Sequence, residues 1–505
     1  MDKEFRRQFI IKEGFGPKSF NKKNISDKLL LYFHPDLRFC QSDCEERSLI
    51  LLGFIIDPYN SKNSNQEIID RLVKDSKNFD SLLENSKSMS GRWALVYKDS
   101  MGVKIFTDPS GLRQVHYSND FSILGSDPAL INKYLQKSPR DDEDFKAYIS
   151  SKFYKINEME WYGSSSFYKN IYKLLPNHYI DLEGKNVKRF WQKFDKLPYN
   201  ESIKRVGDIL INEFKAIDKR DIKKVQSLTG GFDSRIIFGA SIRAGVNFPI
   251  FISTMNKLDR NSPDIKIAQK ILSYYGKDLH IIDDLEDLRD DFLNIYKKSI
   301  DNAQILDKTL TIQYFYDRKE DFAHISGNLS AVFKDYYEDK KIDEGKDISR
   351  LIGIPKDLKI FDKYFNAWLY ETRDIASNEN IDIMKLFYWE NRLPNWGVQY
   401  IQEQDIAMEE YPPFNNREIF LRLLYLNEKE GKIFKDLLAY LDPNLLDFPI
   451  NPKKGFEKFK EFIKSRLSKR SWERIKTIVK GWLNTHFFKY FFINILEKVF
   501  SLSII

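Results

Sequence analysis

Two glycines, an acid and a hydroxyl, set between an apolar run and residues at helical spacing, are the part of this sequence best suited to chemistry. The stretch reads Val225-Gln226-Ser227-Leu228-Thr229-Gly230-Gly231-Phe232-Asp233-Ser234-Arg235-Ile236-Ile237. Its pattern predicts a strand, a tight loop and a helix. Consecutive glycines let successive backbone N–H groups converge on one point, and a helix start adds N–H groups and the positive end of its dipole. An anion belongs there. Asp233 would repel a bare phosphate, so the expected ligand is a pyrophosphate group accompanied by Mg²⁺. No Gly-Lys-Ser/Thr follows, which excludes the Walker pattern. The plain alternative is a glycine turn that Asp233 and Ser234 merely cap.

The surrounding segments read as a frame for that loop. Ser202 to Ile217 has helical spacing and delivers the chain to the strand before the glycines. Phe248 to Met255 predicts a second strand. Ser262 then serves as N-cap, Pro263 as first-turn proline and Asp264 as a dipole partner for the next helix. Gly276 ends that helix, His280 to Ile282 is a third strand, and His324 to Phe333 a fourth short strand with a turn. Strands alternating with helices imply right-handed crossovers and a doubly wound parallel sheet, with nucleotides at the carboxyl ends of the strands.

The amino-terminal part reads differently. Its first forty residues are mixed, Lys-rich and without pattern. Ser48 to Ile56 is a buried-strand run, and Glu67 to Lys74 a helix. Ser90 to Asp99 and Gly102 to Gly111 are strands around a turn, followed by short strands at His116-Tyr117 and Ile123 to Pro128.

The loop Leu228-Thr229-Gly230-Gly231-Phe232-Asp233-Ser234 resembles the Ser-Gly-Gly-x-Asp-Ser pyrophosphate loop of the asparagine synthetase family, with Thr229 in place of Ser. The order of segments from Ser48 to Leu130 is similar to that family's amino-terminal glutaminase domain. Leu175-Pro176-Asn177-His178, with Phe190-Trp191 after it, resembles its linker, where His178 reads as a hydrogen-bonding residue. The resemblance implies an α/β protein: an Ntn-hydrolase-like αββα domain over residues 1–195, a doubly wound parallel-sheet synthetase domain over 196–465, and a basic, aromatic helical tail over 466–505. It implies ATP and Mg²⁺ as cofactors. Nucleotide contacts would come from Leu228, Thr229, Gly230, Gly231, Asp233, Ser234, Ser253, Ser326 and Gly327, with Asp233 as metal ligand. Asn451-Pro452-Lys453-Lys454-Gly455-Phe456 is similar to a Lys-x-Gly-Phe element, which assigns Lys454, with Lys453 as the other candidate, to the reacting phosphate. Met408, Pro413 and Phe414 match a further signature read as a helix end and a proline-braced turn.

The chain also departs from the family. The acidic turn after Ser326-Gly327 has Asn328 and Ser330-Ala331 where the family has Glu and Asp-Glu, leaving Asp335 as a nearby substitute. The chain begins Met1-Asp2, so the amino-terminal thiol of the glutaminases is missing, and Cys40 and Cys44 lie in unsuitable contexts. The function implied is an ATP-dependent carbon–nitrogen ligase. It would adenylate a small-molecule or peptide carboxylate and couple it to ammonia or an amine, without glutaminase activity. The alternative is a catalytically degenerate nucleotide-binding member acting through a partner.

Bulk properties agree with a soluble globular protein. The 505 residues are 42% hydrophobic and 31% charged, enough for more than one domain. A net charge of +7 at this length does not call for nucleic acid. Two cysteines exclude a disulfide framework, and with His34 they make a poor metal set. Neither a signal peptide nor a spanning run is read, so a cytoplasmic place is expected. A homodimer is compatible with the sequence, and the tail's cations beside aromatics admit membrane-surface contact.

Overall fold

Twelve strands build the first part of the chain: β1 (Phe9–Lys12), β2 (Asn21–Asn24), β3 (Leu30–Phe33), β4 (Phe39–Cys44), β5 (Arg47–Ile56), β6 (Ser90–Asp99), β7 (Gly102–Thr107), β8 (His116–Ser118), β9 (Ile123–Gly125), β10 (Ile171–Lys173), β11 (His178–Asp181) and β12 (Asn186–Arg189). The computed structural model describes residues 3–337 and 341–450. Lys453, Lys454 and the 466–505 tail lie outside the described residues. The strands form two antiparallel sheets, in the orders β10-β8-β9-β1-β3-β2 and β12-β11-β7-β6-β5-β4.

Alternation decides the layers. Ile50 and Leu52 of β5 face the other sheet and share a core with Phe9, Ile11, Leu31 and Phe33. Leu49 and Leu51 point the opposite way, against the helices Asn65–Asp75 and Phe79–Ser86. On the far side, Ile10 and Tyr32 pack on Leu130 and Ile131 of the helix Pro128–Leu135. The order is therefore helix, sheet, sheet, helix. β5 is buried on both faces, which is why it reads as an unbroken apolar run.

Four strands lie in the patternless opening. β2 is Asn-Lys-Lys-Asn, exposed at all four positions, because it is the outer strand of its sheet. Charged side chains there discourage pairing with other chains, and they erase the strand signal.

After the helix Tyr199–Asp218 the sheet type changes. β13 (Lys223–Ser227), β14 (Ile250–Ser253), β15 (Leu279–Ile282), β16 (Phe322–Ile325) and β17 (Met408–Tyr411) form a parallel sheet in the order β15-β14-β13-β16-β17. β13 is central and comes first; the chain lays β14 and β15 on one side of it and then crosses to β16 and β17 on the other. The strand order reverses between β13 and β16, and the crevice outside the carboxyl ends of two such strands is where sheets of this kind bind ligands. Two expectations need correction. Met408 starts the strand β17, not a helix end; Glu409 and Glu410 of that strand are buried against cationic and polar partners. Ser262 occupies the N-cap of the helix Pro263–Tyr274 but makes no cap bond through its hydroxyl. Residues Met1–Ile450 form one compact unit.

Candidate functional site

The glycine loop follows β13 directly and ends at Gly231, the N-cap of the helix Phe232–Ala244. No side chain caps that helix, so its first N–H groups meet no acceptor from a capping residue. Leu228 is buried beneath the loop. Hydroxyls shape the turn: Ser234 Oγ accepts from Thr229 N at 3.0 Å and lies 2.9 Å from Thr229 Oγ1, which accepts from Gly231 N at 3.3 Å. Gly230 N donates to Asp264 Oδ1 at 3.1 Å. The loop thus already receives one carboxylate from its own chain, as an anion-binding nest should. A Cβ on Gly230 would stand 3.0 Å from that oxygen.

Arg235 locks the loop from below. Its fully buried guanidinium donates to Gly230 O at 3.0 Å, Leu445 O at 3.1 Å, Phe448 O at 2.8 Å and Pro449 O at 2.7 Å. Burial lowers its pKa to about 10. The segment from Leu445 to Pro449 is therefore held beside the loop.

Ser326 and Gly327 lie on the other side of the crevice, after β16. Gly327 is a close-approach glycine: a Cβ there would fall 2.5 Å from the carbonyl carbon of Asp233. Ser326 Oγ donates to Glu410 Oε1 at 2.5 Å, and Asn328 Nδ2 donates to the same oxygen at 2.6 Å. Gln404 reaches the second oxygen of Glu410. His324 Nε2 lies 3.2 Å from Ser227 Oγ, which joins the two strand ends. Ser253, at the carboxyl end of β14, is 2.6 Å from the Thr311 hydroxyl. The structure therefore brings Thr229 to Ser234 together with Ser326 and Gly327, while Ser253 engages Thr311. Glu410, His324, Arg235 and Lys334 were missed. The pattern Met408-Glu409-Glu410-Tyr411 does not alternate, and its acidic pair hid the first.

Asp233, the expected metal ligand, is ion-paired instead: Lys334 Nζ stands 2.6 Å from its Oδ2, and its Oδ1 is buried without a partner. Asp335 does not reach it, pairing with Lys385 at 2.8 Å. Among the described residues no group of three or more His, Cys, Asp or Glu side chains could hold a metal ion. This donor set does not fit a resident divalent ion.

The amino-terminal sheets carry their own polar cluster where they meet the parallel sheet. Arg92 grips Asp405 with two bonds of 2.6 and 2.7 Å, and Arg113 donates to Glu409 at 2.5 Å. Asp108 accepts from the backbone of Leu112 and Arg113 and from Asn415 Nδ2 at 2.8 Å. Burial pushes Glu409 up, but Arg113, Arg7, Arg38 and Arg92 outweigh it and hold its carboxyl below the usual range. These arginines are consumed in joining the two halves. Cys40 and Cys44 sit on β4 at the sheet edge, and burial raises the Cys40 thiol. His178 Nδ1 lies 2.8 Å from Pro176 O, as a hydrogen-bonding linker residue.

No family model matches the sequence, and no curated protein matches it. Solved structures include glutamine phosphoribosylpyrophosphate amidotransferase from B. subtilis complexed with ADP and GMP. It is 10% identical, with a TM-score of 0.23, covering 70% of this chain and 73% of that one. A structure of the allosteric regulatory enzyme of purine biosynthesis gives 10% identity and a TM-score of 0.23 over 63% and 68% of the two chains. Likeness at this level carries no argument about activity. Among the described residues, no helix is long and apolar enough to cross a membrane.

Proposed function

We propose that this chain is an ATP-dependent amide-forming ligase of the asparagine synthetase kind, whose amino-terminal half is a scaffold and not a glutaminase. One observation carries the reading: the Thr229-Gly230-Gly231 loop leads from the central parallel strand into an uncapped helix, at the crevice where the strand order reverses. In this reading a carboxylate oxygen attacks the α-phosphorus of ATP and displaces pyrophosphate. Ammonia or an amine then attacks the acyl carbon and AMP leaves. The chain's work is positioning and charge neutralisation. The uncapped helix start holds the pyrophosphate, the Ser326 turn closes the opposite wall, and Lys454 meets the reacting phosphate.

Hydroxylamine trapping tests it. Incubated with ATP, Mg²⁺ and pools of carboxylates, the chain should yield a hydroxamate from at least one pool. A second reading, nucleotide binding without turnover, is favoured by the Lys334–Asp233 pair. Binding of ATP with no hydroxamate from any pool would select it.

A further inference from the structure

A carboxylate at the start of the loop helix opposes any phosphate that the loop accepts, and this chain answers that charge with a side chain. Lys334 ends the 3-10 turn Ser330–Phe333, whose Val332 and Phe333 are buried. The same turn starts from Gly327, packed against the Asp233 peptide, so the contact that closes the crevice also brings the ammonium to Asp233. The pair is open to solvent on one side, with side-chain exposures of 25% for Lys334 and 33% for Asp233. An ammonium has three donors, and Asp233 Oδ2 uses one. Burial lowers the Lys334 pKa, but Asp233, Tyr336 and Glu430 outweigh it and the group stays cationic.

We propose that Lys334 is the phosphate-binding cation of the glycine loop, a fixed ammonium standing where a divalent ion would otherwise bridge Asp233 and a pyrophosphate group. Its ligand is a nucleoside triphosphate or inorganic pyrophosphate, bound without a metal ion. The inference rests on the loop being a nucleotide site. An ordinary ion pair that only closes the turn is the competing role, and it makes no demand on metal dependence.

Calorimetry of the full chain with ATP and with pyrophosphate, in EDTA and in Mg²⁺, separates the two. The unmutated chain should bind in EDTA within about tenfold of its affinity in Mg²⁺. Lys334→Gln should weaken binding in EDTA by about 10- to 150-fold, the loss of one hydrogen bond to a charged group. Lys334→Arg, which keeps the charge, should retain most of it, and Asp335→Asn should bind as the unmutated chain does. Thermal melts without ligand check that each variant folds. Should Lys334→Gln not fold, the metal dependence of the unmutated chain and the Lys334→Arg variant still decide. Binding that requires Mg²⁺ in the unmutated chain, or that is unchanged or tighter in Lys334→Gln, overturns the inference alone. No binding in either buffer overturns the nucleotide site itself.

Discussion

Arg235 shows what a single buried cation does for the loop. Its guanidinium satisfies four carbonyls, one in the glycine loop and three in the segment before Ile450. Arg235→Met should leave those acceptors unpaired and cost about 3–5 kcal/mol, the range for breaking a buried charged network. Urea unfolding would measure it, and a loss under about 1 kcal/mol would mean water replaces the contacts. The cysteines support a second expectation at this scale. Cys40 is a partly buried edge-strand thiol whose pKa burial raises, the opposite of an activated nucleophile. Glutamine should not be hydrolysed, and glutamate release that disappears in Cys40→Ser or Cys44→Ser would contradict this. The sequence pointed to the loop residues because glycine and hydroxyl spacing is local. Lys334 and three of the four contacts of Arg235 reach partners about a hundred or more positions away, so little nearby in the sequence marks them.

Among the elements, the two turns flanking the crevice depend on each other through Gly327. Any side chain there meets the Asp233–Ser234 peptide, so Gly327→Ala should force the turn outward. An overpacked contact of this kind costs about 1–3 kcal/mol. It should also separate Lys334 from Asp233 and weaken ATP binding, whereas Gly431→Ala, with open space around its Cβ, should do neither. Thermal melts with and without ATP would report both effects. β14 and β16 were legible because their apolar runs alternate with helices, whereas the central β13, Lys-Lys-Val-Gln-Ser, was placed by the glycine loop that follows it. β17 was not legible, because Glu409 and Glu410 are neutralised by Arg113 and held by Ser326 and Asn328. Burial with partners leaves no hydropathy signal. β2 failed for the opposite reason, as an exposed edge.

At the scale of the whole molecule, the two sheet systems are joined by buried charge. Besides Arg92–Asp405 and Arg113–Glu409, a small cavity of about 40 Å³ is lined by His116, Lys173 and Asp301 among others. Burial, reinforced by Asp127, pushes Asp301 up to about 8. In the unfolded chain an Asp titrates near about 3.9. The folded state therefore holds an extra proton between those values, and stability falls as pH rises through 8. Lys173, lowered to about 8 by burial, works in the opposite sense only above that pH. His116, whose pKa burial lowers, opposes this up to its unfolded value of about 6.5. From there to pH 8 the melting temperature should drop, and Asp301→Asn should flatten the drop; an unchanged slope would mean Asp301 is ionised in the fold. In each half only the interior apolar strands, such as β5, β6, β14 and β16, were readable from their patterns. The union of the two halves was not, since it rests on arginines and acids that a sequence presents as surface.

The central claim is that the glycine loop brings ATP to a carboxylate. Exchange of labelled pyrophosphate into ATP, run across carboxylate pools on the unmutated chain and on Gly230→Val side by side, tests it most directly. The variant sets a side chain against Asp264 and Ile267 at the mouth of the loop. The account predicts carboxylate-dependent exchange in the unmutated chain, with a loss of about 10²-fold or more in the variant, as when donors to developing charge are removed. Exchange that is absent with every pool, or equal in the two proteins, would contradict it.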